Sequence, residues 1–379
     1  MTPSARRPSG FAFAALLLLA ASLASPPASA QLLVGQTAGF TGPVSAGVQD
    51  VTRGAKLYLD AVNAEGGVGG EKVELVSLDD RFDPKVSAEN ARTLIEQKGV
   101  IALFLTRGTP HTEAVLPLLD RHAVPLVGPS TGAMVLHTPV RRHVFNVRAS
   151  YQREAEKAMG HLAGIGMQRI ALLTVDDSFG NDALQGALRG LGRARLEPAM
   201  QATFDRNRPD FSSLAPEVAR ANAQGVLIVG TAQAVAEGIA AIRAAGSKAQ
   251  LVTLSNNATP GFVAGLGANA AGTIVTQVFP NERSVAVPMV KEAQALAKKG
   301  TPDGELSAAM LEGYASAKVL VEGLRRAGPK PTRATLQAAL EGMRKFDLGG
   351  LEVGYSPTDH SGLDFADLSI VGADGRFRR

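Results

Sequence analysis

The chain predicts an α/β protein of two Rossmann-like lobes, each built on a parallel sheet covered by helices. Length comes first: 379 residues are too many for one ordinary core and suit two domains of about 150–200 residues each. Strand-like and helix-like segments alternate from Gln31 onward, and that rhythm restarts after Arg148. The strands are short apolar runs rather than alternating patterns, as parallel sheets buried on both faces require. A composition of 45% hydrophobic and 20% charged residues is that of a globular protein.

Residues 1–30 read as a targeting segment. Arg6 and Arg7 supply a positive start, Phe11 to Ala24 is almost uninterruptedly apolar, and Ala28-Ser29-Ala30 offers a small-x-small cleavage site, making Gln31 the first mature residue. A run of about 14 apolar residues is short of the roughly 20 that span a bilayer. Pro8 and Ser9 after the arginine pair favour general secretion over the twin-arginine route.

In the first half, Leu32-Leu33-Val34 is a buried strand. Val51, Ala55, Tyr58, Leu59 and Val62 then share one helical face, and Gly66-Gly67 stops that helix. Val73 to Leu78 is a strand, and Asp83-Pro84 caps and starts a helix running to about Lys98. Val100 to Phe104 is a strand, Pro110 to His122 a helix, and Pro125 to Val127 a strand. After Arg148, Tyr151 to Ile165 is helical, Arg169 to Val175 a strand, and Asp182 to Leu191 helical. Val226 to Val229, Ala234 to Ala245 and Leu251 to Leu254 repeat strand, helix and strand. Pro288 to about Gly342 is mainly helical, and Leu351 to Tyr355 and Leu368 to Val371 return to short strands.

Composition excludes several functions. With no cysteine there is no disulfide, thiolate metal site, iron–sulfur cluster or lipid-anchor cysteine. The formal charge of +4 includes Arg6 and Arg7, so the mature chain is nearly balanced. Its densest basic group, Arg141-Arg142-His143, has no interleaved aromatics, so no nucleic-acid partner is expected. The six histidines show no paired metal-ligand spacing. The Gly66–Gly70 run follows a helix and leads into a strand, the reverse of a dinucleotide loop, so no cofactor is expected.

Several motifs, in their order and spacing, carry a resemblance. They are Thr41-Gly42-Pro43, the run Asn63-Ala64-Glu65-Gly66-Gly67-Val68-Gly69-Gly70, Gly128-Pro129-Ser130-Thr131-Gly132, and Phe145-Asn146-Val147-Arg148-Ala149-Ser150-Tyr151. Over residues 31–379 the chain resembles the branched-chain amino-acid-binding family of periplasmic substrate-binding proteins, the type I receptors of ABC importers. The resemblance implies two lobes joined by three crossing strands, near Arg148, Gln277 and Tyr355. It places 31–147 with 278–355 in one lobe and 148–277 with 356–379 in the other. It also implies a small carboxylate ligand trapped by hinge closure and an ABC permease, or a sensor, as the partner.

In parallel α/β sheets ligands lie beyond the carboxyl ends of strands. The loop Thr106-Arg107-Gly108-Thr109-Pro110 stands there, with Thr109 expected as N-cap, Pro110 as first helical residue and free N–H groups suited to a carboxylate. The resemblance puts a ligand-binding hydroxyl at Thr106. Arg107 reads equally as a bidentate carboxylate partner or as an exposed arginine beside the mouth. Ser130 or Thr131 can supply a second hydroxyl. The resemblance sets Tyr151, Phe179, Thr231 and Ser255 at or near the cleft, although buried aromatics such as Tyr151 and Phe179 are more often core. Gly128 to Gly132 also matches G-x-S-x-G, which makes an exported hydrolase using Ser130 the alternative. That elbow needs a strand leading straight into a long helix, and Pro139 cuts the following segment short. Family members that bind amino acids carry an acid after the strand matching Leu251–Leu254. Here Ser255-Asn256-Asn257 follow, so the expected carboxylate ligand need not carry an α-ammonium.

Overall fold

A five-stranded and a seven-stranded sheet organise the computed structural model, which describes residues 1–2 and 31–379. The expected targeting segment therefore falls, beyond its first two residues, outside the described residues.

The first sheet holds β1 (Gln31–Ala38), β2 (Lys72–Asp79), β3 (Ala102–Phe104), β4 (Leu126–Val127) and β5 (Val144–Phe145) in the order β2-β1-β3-β4-β5. Every pairing in it is parallel. Helices α1 (Ser45–Ala64), α2 (Pro84–Arg92) and α3 (Thr109–His122) make its early crossovers. Asp83 caps α2 by accepting from the Lys85 N–H at 2.8 Å, as its position before Pro84 requires.

The second sheet takes β6 (Ile170–Val175), β7 (Met200–Phe204), β8 (Gly225–Val229), β9 (Gln250–Thr253) and β10 (Ile274–Gln277), all parallel. The strands β13 (Asp367–Val371) and β14 (Phe377–Arg378) extend it antiparallel beyond β10. A two-stranded ribbon, β11 (Phe346–Asp347) with β12 (Glu352–Val353), lies between. Helices α4 (Tyr151–Gly164), α5 (Ser178–Arg193), α6 (Leu214–Arg220), α7 (Ala232–Ala244) and α8 (Pro260–Leu266) cover this sheet. Strand β7 is missed because it is an edge strand, MQATF, whose inward Met200, Ala202 and Phe204 alternate with exposed Gln201 and Thr203 instead of forming a continuous apolar run.

The late helices α9 (Pro288–Gly300), α10 (Ala308–Arg326) and α11 (Arg333–Glu341) return to the first sheet, where Met289, Tyr314, Leu320 and Leu336 share a core with Val34, Phe104 and Phe145. Glycines let α1 and α10 touch backbone to backbone. A Cβ on Gly54 would stand 1.9 Å from the Met310 carbonyl oxygen, and one on Gly313 would stand 1.8 Å from that of Val51. The second core gathers Leu172, Ile228, Val252, Val275 and Phe262. The chain passes between the cores at 146–150, again where β10 gives way to Val278 and Phe279 of the first core, and a third time before β13. Leu363 still packs in the first core, so the third passage lies beyond it and not at Tyr355.

Candidate functional site

The loops after β3 and β4 from one lobe face those after β6, β8 and β9 from the other. Parallel strands aim their carboxyl ends, and the helix N-termini that follow, into that gap. Asp177 caps α5 through the N–H groups of Phe179 and Gly180, Thr231 caps α7 through that of Ala234, and Thr259 caps α8 through that of Phe262. Asp177 also pairs with Arg206, so it is spent on structure.

One expectation is corrected at α3. Thr109 is not the N-cap: Gly108 holds that position, with φ +91°, and Thr109 is already helical. A side chain at Gly108 would strike His111 Nδ1 at 2.7 Å, so glycine is required by space as well as by its left-handed backbone. The Thr109 hydroxyl pairs instead with that of Thr131 at 2.8 Å, tying the β3 and β4 loops together. Thr106, buried, shares a hydrogen bond with Thr112 at 2.9 Å.

Arg107 is buried, not an exposed residue at the mouth. Its Nη1 donates to Ser130 Oγ at 2.8 Å, and its Nη2 crosses the cleft to the Asn256 carbonyl oxygen at 2.9 Å. Both acceptors are neutral, and no carboxylate lies within ion-pair distance of Arg107 among the described residues. Other contacts also bridge the lobes: Ser178 Oγ donates to Glu113 Oε2 at 2.6 Å, and the Arg206 guanidinium lies 5.2 Å from the centre of the Phe82 ring. Phe82 in turn stacks on His111, whose burial holds it down to about 4 and therefore neutral.

Tyr151 and Phe179 meet at 4.6 Å between ring centres and belong to the second core. Thr231 lines a cavity of about 280 Å³ with Arg81, Phe82, Arg206 and Gln233, and Arg107 is not among the residues lining it. Ser255 faces a residue that the sequence motifs display without assigning a role. The Arg148 guanidinium donates from Nη2 to Ser255 Oγ at 2.9 Å and lies 4.6 Å from the centre of the Tyr151 ring. Nη2 also pairs with Glu154, and Nη1 stands 3.7 Å from Glu312 Oε2. Glu154 in turn accepts from the Ser255 N–H at 2.9 Å and from the Thr276 hydroxyl. Burial alone would push Arg148 down, but the two glutamates outweigh it and hold the guanidinium above its ordinary range. Burial raises Tyr151, against the opposing pull of Arg148 and Arg107. Neither glutamate shows in the sequence as a site residue. Glu154 lies in the first turn of α4 and Glu312 early in α10, with no motif that marks either as a site residue.

The hydrolase alternative fails on geometry. No long helix follows β4, only a short turn at Met134–Leu136, and the Ser130 hydroxyl takes its hydrogen bond from Arg107. His360 spends Nδ1 on the carbonyls of Arg141 and Val144 and stacks on Phe145, with no bond to Ser130 among the described residues.

A periplasmic binding protein family model matches residues 31–370. A Leu/Ile/Val-binding protein homolog 3 from Brucella melitensis is 27% identical over 92% of each chain. A substrate-binding periplasmic protein from Ralstonia solanacearum is 32% identical over 92% of this chain and 99% of its own, with a TM-score of 0.83. An extracellular ligand-binding receptor from Verminephrobacter eiseniae is 30% identical over 92% and 100%, with a TM-score of 0.82. A family model over most of the chain, two lobes and mainly parallel sheets lead to one conclusion: the chain belongs to the periplasmic binding protein family, with the architecture of its type I, hinge-closing solute receptors.

Proposed function

We propose that this receptor is exported with residues 1–30 removed, captures a small carboxylate-bearing solute between its lobes, and delivers it to an ABC permease in the inner membrane. Family membership supports a periplasmic location and a small-molecule ligand. The proposed lobes are 31–147 with 278–363 and 148–277 with 367–379. The relatives named for leucine, isoleucine and valine make amino acids and related organic acids the class to test.

One observation carries the reading. Arg107 is a permanently charged group, 7% exposed, whose guanidinium is satisfied by a hydroxyl on one lobe and a carbonyl on the other. Burying a charge against neutral acceptors is costly, and a carboxylate entering between Ser130 and Asn256 would relieve it with charge-assisted bonds. Because Arg107 reaches both lobes, the same carboxylate biases the hinge toward closure. Thr106, Thr109, Ser130 and Thr131 shape the first-lobe wall of this site; Tyr151, Phe179, Thr231 and Ser255 shape the second.

Native mass spectrometry of the mature protein, with a thermal-shift screen of amino acids and organic acids, tests this. Saturable one-to-one binding of a carboxylate is expected, without turnover of esters. Labelling of Ser130 by a serine-reactive probe, or stabilisation only by neutral or cationic solutes, would overturn it.

A further inference from the structure

Helix α3 of the first lobe touches α5 of the second. There Glu113 on α3 accepts from the hydroxyl of Ser178, the first residue of α5, at 2.6 Å. One turn further along α5, Asp182 accepts from the Met134 N–H, in the segment after β4, at 3.0 Å. It accepts a second bond from the Gln152 amide on α4 at 2.8 Å. Carboxylates from the two lobes thus meet at one junction, and no ion pair reaches Asp182 among the described residues.

Every charge facing Asp182 can be named. Arg189 on its own helix pulls it down, and Glu113 across the junction pushes it up. Arg189 is already shared with Glu156 of α4, which also pairs with Arg193, and Asp177 is paired with Arg206. The segment after β4 contributes only the Met134 N–H. Both donors to Asp182 go to Oδ1, whereas Oδ2 is buried with no hydrogen-bond partner. A proton taken from solvent onto Oδ2 therefore removes the charge and leaves both hydrogen bonds in place. A buried carboxylate oxygen without a donor is costly as an anion, so the neutral acid is the form that this junction suits.

We infer that Asp182 couples the closing of the lobes to pH: bringing α3 against α5 draws a proton onto its carboxyl group. Opening withdraws Glu113 and admits water to Oδ2, so the open form holds the proton less tightly. With the lobes in contact, burial pushes Asp182 up to about 6, against about 4 for a free aspartate. The sign follows from that difference. The contribution to closure is complete below about pH 4 and is lost as the pH rises through about 6. This coupling needs only the closing motion, whatever solute Arg107 meets.

The test is single-molecule energy transfer on the mature protein without added solute, between pH 5 and pH 7.5. Fluorophores go on Lys98→Cys and Glu197→Cys, two exposed positions ahead of β3 and β7 in a chain with no cysteine of its own. The ratio of closed to open molecules is expected to fall at least threefold over this range, roughly tenfold if opening restores the free value in full. Asp182→Asn is expected to hold the ratio constant, since the amide is always neutral. The other carboxyls that burial raises, Asp50, Asp80 and Glu282, are present in both proteins and drop out of that comparison. Glu113→Gln should move the midpoint to lower pH, and Gln152→Ala, which removes a donor, should move it higher. These opposite shifts decide the matter if Asp182→Asn does not fold. A wild-type ratio that does not change with pH, no closed molecules at either pH, an Asp182→Asn profile like that of wild type, or midpoints that stay in place in both other variants would each overturn the coupling.

Discussion

Arg107 and Arg148 are buried in the same cleft, yet the protein treats their charges in opposite ways. Arg148 is enclosed by Glu154 and Glu312 and by the Ser255 hydroxyl, so its charge is used up within the fold. Arg107 is given one hydroxyl and one backbone carbonyl, enough to hold its direction but not to neutralise it. On the proposed function, the difference separates a charge satisfied within the fold from one available to an incoming carboxylate. Arginine cannot escape an unfavourable site by losing its proton, so an unneutralised buried guanidinium is a durable signal.

The sharpest way to break this comparison is Arg148→Met. It leaves two glutamates buried without their cation and should cost about 3–5 kcal/mol of stability in urea unfolding. The matching Arg107→Met should shift stability by no more than about 1 kcal/mol, because two hydrogen bonds are lost while an unpaired charge is removed. Similar costs for both would erase the distinction.

Asp182 sharpens the comparison from the acidic side. It accepts from the Met134 N–H at 3.0 Å and the Gln152 amide at 2.8 Å, and like Arg107 it has no ion-pair partner among the described residues. Unlike arginine it can titrate, and burial pushes it up to about 6 despite those two donors. A raised folded value means the group favours folding below about pH 4, and that contribution is lost as the pH rises through about 6. The stability of wild type relative to Asp182→Asn should therefore fall by on the order of 1–3 kcal/mol between pH 4 and pH 7. His111 and His137, both held down to about 4, act in the opposite sense in both proteins and drop out of the difference. A flat difference would show that Asp182 is compensated after all.

The smallest expected effect is at the pair joining the β3 and β4 loops. Thr109→Ala or Thr131→Ala removes a buried hydroxyl contact and should cost about 1 kcal/mol in thermal unfolding. The double variant should cost little more than either single one. Additive losses would mean the two hydroxyls do not act on each other.

The fold was legible because buried parallel strands such as Ile170–Val175 and Gly225–Val229 are continuous apolar runs, bounded by caps such as Asp83 and Gly turns. Edge strand β7 was not, since its inward Met200, Ala202 and Phe204 alternate with exposed Gln201 and Thr203 and form no continuous run. The cleft loops were legible from their places after β3 and β4. The cap at Thr109 was misplaced because a threonine before proline looks the same whether it precedes the helix or begins it; only the φ of Gly108 distinguishes them. Arg148 stood within a motif without an assigned role. Glu154 and Glu312, far apart in the chain, meet it only after α4 and α10 pack from different lobes, and no local pattern encodes that meeting.

The central claim, that Arg107 is kept for a ligand carboxylate, is tested most directly by calorimetry on Arg107→Met beside wild type, using the carboxylate that stabilises wild type most in the thermal screen. The account predicts an affinity loss of about 1.5–3 kcal/mol, roughly 10- to 150-fold, with the unfolding midpoint nearly unchanged. Wild-type affinity in the folded variant would contradict it.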